Sequence, residues 1–581
     1  MPFDALPTRR LPSPLARALD RLLQIEQMED LYREARTEPS FVTGLLAKLA
    51  VRIDVSARDL ANIPATGPVV AVCNHPFGIL DGIVTAEVLT RVRPDVRILT
   101  SRMLGDLEEL APLCFFVDPF DKPENRATNA RGLRNSIAHL RAGGLLMIFP
   151  AGEVSHFDVR TRSICDPLWS PTAARLIQLS GARALPILIA GSNSLGFQML
   201  GLVHPKLRTA ALPAQLLNKR GKVISVRVAA PIQPDTLRQF DAAGLTQYLR
   251  VRSRLLAHRH QPAPLRTNGL APIPPATATH LRQREVAALA PDCQLAAAGD
   301  LAVYYAEAAH IPAVLHEICR LREITFRAAG EGTGQAIDHD RYDLTYRHLF
   351  VWNHATSEVV GAYRIGDVPE LLQRFGADGL YTTSLFRFQN GFFARLGPAL
   401  ELGRSFVRLE YQRQFTPLLL LWKGICTLVA RRPQYKMLIG AVTMSNQYSA
   451  GSRELMARYF EMRGHTGGLL SPVRPRHKLR GARLQKHDCA TLCALVPAAE
   501  DLSIPIRDLE LDGKGLPVLI QQYVKMGGKL MAFSVDPRFG DALDAFVQLD
   551  LTAAPPRALA RYMGQLEAAR FLAAHAQGRA A

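Results

Sequence analysis

A proline-rich segment near the middle of the chain limits how its 581 residues can fold. Residues 261–280 contain five prolines, no acidic residue and no apolar periodicity, which is typical of a semi-extended linker. The stretches on either side, of about 260 and about 300 residues, are each long enough for a globular domain. We therefore predict a helical segment over residues 1–60, a first domain over 61–256, a linker over 257–284 and a second domain over 285–581.

Both halves of the chain are predicted to mix helices and strands. In the N-terminal half, short apolar runs alternate with helical patterns, which indicates an α/β domain with buried strands. In the C-terminal half, strand patterns accompany a long apolar helical pattern at residues 417–432. The strand candidates of the two halves are residues 69–75, 96–101, 145–152, 185–191, 224–232, 346–353, 358–365, 399–407 and 436–445.

The charge balance is basic, with 70 Lys and Arg residues against 52 Asp and Glu residues and a net charge of +18. Such a surplus favours an anionic partner, which is a nucleic acid, an anionic bilayer or an acidic protein. An arginine-rich proteome would give the same balance without any functional meaning. The sequence carries no zinc finger, RNP motif or other nucleic-acid module, so we expect no nucleic-acid partner.

No segment has both the length and the hydropathy of a membrane span. The most apolar stretch, residues 417–430, is interrupted by Lys423 and is shorter than the roughly 20 residues that a span requires. The first residues show no apolar region of the signal-peptide kind, and the eight cysteines are scattered. We expect a cytoplasmic protein that lies peripherally on the inner face of the cytoplasmic membrane, with the helical segment 1–60 facing the lipid and no bound metal.

A histidine and an aspartate follow the first strand of the N-terminal half. Pro76 and Gly78 predict a turn after His75, and a helix beginning near Leu80 would return the Asp81 carboxylate to the imidazole. A histidine held by a carboxylate is a general base that takes the proton from a hydroxyl group as the hydroxyl attacks an acyl carbonyl. On its own, such a pair is more simply interpreted as a structural histidine.

Three motifs of this half occur together in a known order. They are Asn74-His75 with Asp81, the block FPAGEVS at residues 149–155, and Leu-Pro-Ile at residues 185–187. Together they resemble the glycerolipid acyltransferase family, the phosphatidic-acid-forming lysophospholipid acyltransferases, over residues 60–235. The resemblance implies an αβ acyltransferase domain, catalysis by His75 and Asp81, and acceptor binding by Asn74 and Glu153.

The sequence departs from this family pattern at two points. Five residues separate the histidine from the aspartate where the family has four. Ala151 stands where the family has its glutamate, and Val154-Ser155 stands where the family has Thr-Arg, so an arginine is missing. A phosphorylated head group requires a fork of donors. Arg126, Arg131 and Arg134 would supply that fork. The simpler interpretation is an acceptor that carries no glycerol phosphate.

Charged residues of the C-terminal half form a second pattern. Any one pair of charges at helical spacing usually lies on a solvent-exposed face of a helix. As a set these residues resemble the acyl-homoserine-lactone synthases and the ornithine lipid N-acyltransferases over residues 300–555, which implies a GNAT-like α+β domain. The set consists of Arg322 with Phe326, Asp340 with Asp343, Arg364, and Glu401 with Arg404.

The second resemblance implies a role for each member of the set. Glu401 would be the base that takes the proton from the attacking amino group. Arg404 would hold that carboxylate or grip the carboxylate of the substrate. Asp340 and Asp343 would bind the cationic side chain of ornithine. The remaining substrate-binding candidates are Arg322, Phe326 and Arg364.

The acyl donor is predicted from a loop that lacks glycine. Residues 412–417, Gln-Arg-Gln-Phe-Thr-Pro, stand where GNAT enzymes carry a glycine-rich pyrophosphate loop, and without glycine the backbone cannot wrap a pyrophosphate closely. This favours acyl carrier protein over coenzyme A, and we expect no cofactor. The acid-free basic runs at residues 206–227 and 474–486 would meet the acidic carrier or anionic lipid head groups.

The two patterns on one chain resemble the bifunctional ornithine lipid synthases. That resemblance implies N-acylation of ornithine by 3-hydroxyacyl carrier protein in the second domain, followed by O-acylation of the new 3-hydroxyl in the first. Glycine, glutamine or lysine would suit the same chemistry. The alternatives are a lysophosphatidic acid acyltransferase whose C-terminal half only docks carrier protein or membrane, and a non-catalytic membrane-binding protein.

Overall fold

The structure is a computed structural model of the chain, and it divides after Arg259 into an N-terminal and a C-terminal unit. Residues 1–23 of the predicted helical segment, residues 260–268 of the predicted linker and Lys206 of the first basic run lie outside the described residues. The structure describes residues 24–38, 40–102, 109–118, 126–159, 162–204, 207–208, 211–259, 269–464, 472–480 and 484–577.

The N-terminal unit is built on a seven-stranded sheet beside a two-stranded ribbon. Its strands are β1 (Arg52–Asp54), β2 (Val69–Cys73), β3 (Val96–Ser101), β4 (Cys114–Val117), β5 (Leu145–Ile148), β6 (His156–Asp158), β7 (Ser163–Cys165), β8 (Arg183–Ile189) and β9 (Val223–Val228). The sheet has the order β1-β9-β8-β2-β5-β3-β4, and β6 pairs with β7. Strands β8, β2, β5, β3 and β4 run parallel, whereas β9 is antiparallel to β8.

Helices accompany this sheet, and two of them join its core ahead of the first motif. All five residues of β2 are buried, as expected for a parallel strand that is covered on both faces. Met28, Leu31 and Leu45 of the first two helices pack in the same hydrophobic core as β2. The helices are α1 (Ile25–Ala35), α2 (Phe41–Lys48), α3 (Ala57–Ala61), α4 (Ile79–Thr90), α5 (Arg126–Arg141), α6 (Thr172–Ser180), α7 (Leu195–Val203), α8 (Leu212–Leu217), α9 (Pro234–Leu237) and α10 (Ala242–Leu255).

The carboxyl ends of β2, β5 and β8 meet at one edge of this sheet. Because the three strands are parallel neighbours, the segments that follow them lie side by side. His75 follows β2, residues 149–155 follow β5, and residues 190–194 lead from β8 into α7. Ligands bind at this edge of open α/β sheets. The topology therefore brings together two motifs that lie more than 70 residues apart in the chain.

The C-terminal unit contains an eight-stranded sheet and a small two-stranded one. Its strands are β10 (Gln294–Ala298), β11 (Leu301–Glu307), β12 (Arg347–Asn353), β13 (Glu358–Asp367), β14 (Phe386–Phe388), β15 (Ala399–Val407), β16 (Met437–Met444), β17 (Val473–Pro475), β18 (Lys529–Asp536) and β19 (Ala542–Asp550). The order is β10-β11-β12-β13-β15-β16-β19-β18, with β14 and β17 paired separately. Within the large sheet only β15 and β16 are parallel.

The helices of this unit include one long apolar helix that follows β15. Among the described residues of the whole chain, no helix is both long and apolar enough to cross a bilayer. The helices are α11 (Thr279–Ala287), α12 (Pro312–Ala328), α13 (Val368–Phe375), α14 (Phe392–Leu396), α15 (Thr416–Arg431), α16 (Ala450–Gly464), α17 (Lys486–Leu495), α18 (Ser503–Leu509), α19 (Val518–Lys525), α20 (Pro556–Met563) and α21 (Gln565–Gln577).

The parallel strands β15 and β16 stay paired for only part of their length. Their register runs from Ala399 opposite Met437 to Leu402 opposite Gly440. A Cβ atom on Gly440 would lie 2.1 Å from the carbonyl oxygen of Leu402, so only glycine permits this close approach. Beyond that point β15 continues beside β13 to Val407, while β16 continues beside β19. A gap therefore opens within the sheet, next to Arg404.

A buried ion pair joins Arg259, the last residue of the N-terminal unit, to Asp59 of the same unit. We expect its loss to destabilise that unit. Arg259 Nη1 lies 2.6 Å from Asp59 Oδ1, which also accepts from the amide of Val228. Breaking a buried pair leaves an uncompensated charge, so Asp59→Asn should lower the free energy of unfolding by about 3 kcal/mol or more. The exposed pair Asp235–Arg238 provides the matched control, Asp235→Asn, with an effect within about 1 kcal/mol. Denaturant titration with a hydrogen-exchange readout of the unit measures both, and equal effects would contradict the expectation.

Candidate active sites

His75 and Asp81 are in contact at the carboxyl end of β2. Nδ1 of His75 lies 2.9 Å from Oδ2 of Asp81, and the amides of Phe77 and Gly78 donate to the same oxygen at 2.8 and 2.9 Å. Gly78 has φ +98°, a conformation that favours glycine, and α4 begins directly after it at Ile79. This turn accommodates the additional residue between histidine and aspartate, and the carboxylate still reaches the imidazole.

The surroundings of this pair leave one ring nitrogen available. Asp81 is fully buried; burial raises the pKa of its carboxyl group, and the contact with His75 acts in the opposite direction. The ring of Phe149 lies beside the imidazole, with 4.4 Å between ring centroids. Because Asp81 occupies Nδ1 and no described residue hydrogen-bonds to Nε2, Nε2 is the atom that can accept a proton from a substrate hydroxyl.

Asp166 also hydrogen-bonds to the His75 turn. No motif in the sequence identified this residue. Its Oδ1 accepts from the amide of His75 at 3.2 Å and from the hydroxyl of Ser155. Its Oδ2 accepts from Trp169 Nε1 at 2.9 Å. The amide of Ser155 also donates to the carbonyl of His75 at 2.7 Å. The loop after β5 is thus fastened to the histidine through both backbone and side chain.

Asn74 and Lys219 also lie at this turn. The Asn74 amide donates to the carbonyl of Ile189 and accepts from its backbone amide, at 2.9 and 2.7 Å, so it ties the end of β2 to the end of β8. Its predicted contact with substrate stays a prediction. Lys219, which sequence reasoning missed, places Nζ 4.6 Å from the ring centroid of Phe77, and burial lowers the pKa of its ammonium group.

The predicted acceptor-binding residues Glu153, Arg126 and Arg131 are not brought together. Glu153 pairs at 3.0 Å with Arg208, a buried residue that the sequence did not single out. This arginine reaches the FPAGEVS block from another part of the chain. Arg126 and Arg131 lie exposed on α5. Among the described residues, neither has an ion pair or hydrogen bond to the His75 turn.

Glu401 is buried on β15, where the C-terminal sheet begins to separate. Its Oε1 accepts from the amide of Thr382 at 2.7 Å, and its Oε2 accepts from the hydroxyl of Tyr346 and from the amide of Tyr381. Burial raises the pKa of the Glu401 carboxyl group, and the Tyr346 hydrogen bond acts in the opposite direction. Both carboxylate oxygens are therefore occupied, and contact with an amine would have to run through a neighbour such as Tyr346.

Three predicted arginines and two predicted aspartates form one ion-pair network, together with Asp338. Arg322 contacts Asp338 and Asp343 at 3.1 and 2.8 Å, Arg364 contacts Asp340 and Asp343 at 2.5 and 3.1 Å, and Arg404 contacts Asp338 and Asp340, both at 3.3 Å. Burial alone would raise the pKa of the Asp343 carboxyl group, but the two arginines beside it hold that pKa below its ordinary value. Each aspartate thus bridges two arginines.

Several of the predicted substrate-binding residues are engaged in contacts with other residues of the protein. Asp340 and Asp343 are bound to arginines, so the predicted contact with an ornithine side chain stays a prediction. Phe326 packs against the hydrophobic core between α12 and the sheet. Asp338 was missed, although it shares the short run Asp-His-Asp-Arg-Tyr-Asp with the two predicted aspartates. Arg404 has φ +49°, which is uncommon for a residue with a side chain and indicates local strain.

Two acidic groups of this unit have raised pKa values, and one of them, Asp544, lies near Arg404. Burial raises the pKa of Asp544 on β19 to about 7, although Thr443 donates to its Oδ1 at 2.7 Å. Burial and the charge of Asp544 raise the pKa of Glu331 to about 8. Asp536, at the end of β18, accepts from the Tyr381 hydroxyl, which in turn accepts from Arg404. Sequence reasoning missed all of these residues, because they come from distant strands and a loop.

A cleft of about 840 Å³ adjoins the part of β15 that has separated from β16. Its apolar lining includes Phe406, Phe415, Leu418 and Leu421. The basic residues along it are Arg413, Lys525, Arg557 and Arg561, and no acidic residue is among those that line it. The segment 412–417, predicted to lie at the donor site, forms part of this wall. An apolar interior with basic residues around it suits a ligand that combines an apolar chain with an anionic group.

Comparison with known proteins confirms the two predicted domain types. Residues 5–255 match the family described as acyltransferase, and residues 321–423 match the family described as acetyltransferase (GNAT) domain. The solved structure of the 1-acyl-sn-glycerophosphate (LPA) acyltransferase PlsC from Thermotoga maritima matches with 16% identity and a TM-score of 0.24, covering 38% of this chain and 74% of that one.

Three curated relatives are acyltransferases. A glycine Nα-acyltransferase of Phocaeicola vulgatus is 33% identical over 245 residues, which cover 40% of this chain and 74% of the relative. A glycine Nα-acyltransferase of Bacteroides thetaiotaomicron is 32% identical, over 41% of this chain and 74% of the relative. A lyso-glycine lipid O-acyltransferase of Phocaeicola vulgatus is 26% identical, over 33% of this chain and 68% of the relative.

The raised pKa of Asp544 predicts how stability depends on pH. Between about pH 4 and pH 7 the folded protein keeps a proton on Asp544 that the unfolded chain has lost, so stability falls as pH rises across this window. Asp544→Asn should reduce this fall, by up to about 1.4 kcal/mol for each pH unit. Denaturant unfolding at a series of pH values measures the slope, with the exposed Asp235→Asn as control. An unchanged slope in Asp544→Asn would contradict the raised pKa.

Proposed function

Since this chain belongs to the acyltransferase family that includes the glycine Nα-acyltransferases, we propose that it builds a membrane aminolipid by two successive acyl transfers. The C-terminal unit N-acylates an amino acid with a 3-hydroxyacyl group. The N-terminal unit then O-acylates the 3-hydroxyl of that product. The observation that carries the proposal is the presence of the His75–Asp81 pair and the GNAT domain in one chain.

O-acylation would proceed at Nε2 of His75. The substrate 3-hydroxyl gives its proton to Nε2 as its oxygen attacks the thioester carbonyl, and the carrier thiolate leaves when the tetrahedral intermediate collapses. The Asp81 carboxylate orients the imidazole through Nδ1 and stabilises the imidazolium that forms. Asp166 and Ser155 hold the histidine backbone in place. No residue of the described turn offers a free fork of donors for a phosphate, which supports an acceptor without glycerol phosphate.

N-acylation would use Glu401 as the final proton acceptor. The amine nitrogen attacks the thioester carbonyl and gives its proton to the Tyr346 hydroxyl as the hydroxyl proton passes to Glu401. The C–S bond breaks when the tetrahedral intermediate collapses, and the carrier leaves as a thiolate. Arg404 lies at the gap between β15 and β16. It would bind the substrate carboxylate or keep the Tyr381 hydroxyl in position. Asp544 is a second candidate base, because the pKa of about 7 suits proton transfer near neutral pH.

The proposed donor for both transfers is acyl carrier protein. Support for this comes from the cleft beside β15, whose apolar interior would take the acyl chain and whose arginines and lysine would face the acidic carrier. The segment 412–417 also supports this donor. Because the segment contains no glycine, its backbone could not approach the pyrophosphate of coenzyme A closely.

The proposed amino acid is ornithine or glycine. The resemblance of the C-terminal motifs favours ornithine. The names of two relatives favour glycine. Mass spectrometry of lipids from a bacterium that lacks aminolipids and expresses this chain separates the two by head-group mass. Detection of new phosphatidic acid alone would instead favour the lysophosphatidic acid acyltransferase. We propose that the enzyme works peripherally on the inner face of the cytoplasmic membrane.

Substitution of His75 should separate the two reactions. His75→Ala removes the O-acylation base, so a mono-acylated 3-hydroxyacyl aminolipid should accumulate while N-acylation continues. Lipid mass spectrometry of the expressing bacterium measures both products. Asp235→Asn, at an exposed position of the same unit, is the control and should leave the di-acylated lipid. Loss of both products in folded His75→Ala protein would contradict two separate sites.

Substitution of Glu401 tests the N-acylation base. Glu401→Gln keeps the shape of the side chain and should lower the rate about 10²–10⁴-fold, with partial recovery at high pH, where more amine is already deprotonated. Asp544→Asn is the counterpart and should have a smaller effect. The assay is the rate of N-acylation of the amino acid by acyl carrier protein, measured with purified folded enzyme. If Glu401→Gln is near normal and Asp544→Asn shows the loss, then Asp544 is the base.

A further inference from the structure

Helix α7 of the N-terminal unit presents its apolar side chains to solvent. Leu195, Met199, Leu202 and Val203 are 79%, 67%, 58% and 76% exposed. Their spacing of i, i+4, i+7 and i+8 places them on one face of the helix. The helix contains no charged residue. A surface helix normally turns such a stripe toward the core, so this outward stripe marks a surface that contacts something apolar.

The outward orientation of α7 is held by its own contacts. Phe197, on the opposite face, is buried against Val154, Ala211 and Leu212. Gln198 accepts from the amide of Phe157 at 2.9 Å, which ties the helix to β6. With its inner face engaged in these contacts, α7 cannot rotate to bury the stripe without breaking them. The apolar face is therefore a stable feature of the folded unit.

Exposed cations lie at the same edge of the sheet. Strand β9 is antiparallel to β8, with Val226 opposite Ile189. The residues just before β9 therefore lie beside the carboxyl end of β8. The chain continues from that end of β8 into α7. Lys219 Nζ donates to the carbonyl of Ser192 at 2.9 Å, close to the start of α7. Arg220 and Lys222 on the same turn are exposed. An apolar stripe with cations beside it matches the two components of an anionic bilayer surface, acyl chains and negative head groups.

The same helix lies next to the His75 turn. Val154, which packs against Phe197, belongs to the loop that is fastened to His75. A Cβ atom on Gly78 would lie 3.2 Å from Leu212 and 3.5 Å from Val154, so the apolar cluster under α7 touches the catalytic turn. A bilayer in contact with α7 would thus lie close to the histidine that acts on a lipid hydroxyl.

We propose that α7, together with Arg220 and Lys222, docks the N-terminal unit on an anionic bilayer and that the lyso-aminolipid reaches His75 directly from that bilayer. The second part rests on the proposed O-acylation, whereas the docking itself does not. This location differs from the helical segment 1–60, which the sequence predicted to face the lipid.

Binding of the full-length protein to vesicles tests the docking. The vesicles are phosphatidylcholine with and without phosphatidylglycerol, and binding is measured by sedimentation at low and high salt. The triple variant Leu195→Ser, Met199→Ser, Leu202→Ser should bind the anionic vesicles about tenfold or more weakly, because three apolar side chains no longer enter the interface. Arg220→Gln with Lys222→Gln should weaken binding about fivefold per charge removed, and only at low salt.

A matched control carries the same types of substitution at exposed apolar residues elsewhere. Leu179, Met462 and Leu566 are 60%, 54% and 57% exposed, and Leu179 lies on α6 just before the amino end of β8, at the opposite edge of the sheet. The triple variant Leu179→Ser, Met462→Ser, Leu566→Ser should bind vesicles like the unchanged protein. Circular dichroism confirms that each variant is folded.

The outcomes separate docking from function. Equal vesicle binding by the α7 variant and the control would overturn the proposal. It would also be overturned if the unchanged protein formed a dimer in solution that the α7 variant abolished, with no binding to vesicles by either, since a second copy would then cover the helix. O-acylation of a short-chain, water-soluble acceptor should persist in the α7 variant. If the unchanged protein binds vesicles through α7 and yet O-acylates neither acceptor, docking stands and the proposed function fails.

Discussion

A buried carboxylate must be satisfied by nearby donors, and this constraint governs the His75 turn. Asp81 Oδ2 meets the constraint through the imidazole of His75 and two backbone amides, so opening of the turn would leave that buried oxygen unpaired. Asp166, which follows β7, likewise accepts from the amide of His75 and from the hydroxyl of Ser155 in the loop after β5. The orientation of the imidazole is consequently set by the fold before any substrate arrives, which is what a general base requires.

The C-terminal unit applies the same constraint to a larger set of charges. Three largely buried arginines alternate with three aspartates, so each charged group contacts two partners. Arg404, whose backbone has φ +49°, is a member of this network. That arginine lies where β15 leaves β16, with the acidic residue Asp544 near it and the apolar cleft farther along the strand. The gap in the sheet thus has a polar part suited to an amino acid and an apolar part suited to an acyl chain.

Each unit combines a buried polar site with an accessible apolar surface. In the C-terminal unit the apolar surface is the cleft lined by Phe406 and Leu421. In the N-terminal unit it is the outer face of α7, which no described part of the chain covers. Basic residues lie beside both apolar surfaces. In the C-terminal unit they lie along the cleft, and in the N-terminal unit they lie on the turn before β9.

The sequence by itself determined the two domain types and the main strand, turn and helix of the first motif, because periodicity and turn residues act between near neighbours in the chain. The α/β acyltransferase domain followed by a GNAT domain is confirmed. The tertiary structure alone decided that Asp166 supports His75 from 91 residues away and that Arg208 pairs with Glu153. It also decided that the apolar run of α7, which by composition alone would suit a buried helix, faces outward. Such contacts depend on which turns the sheet brings to one edge, and no local pattern encodes that arrangement.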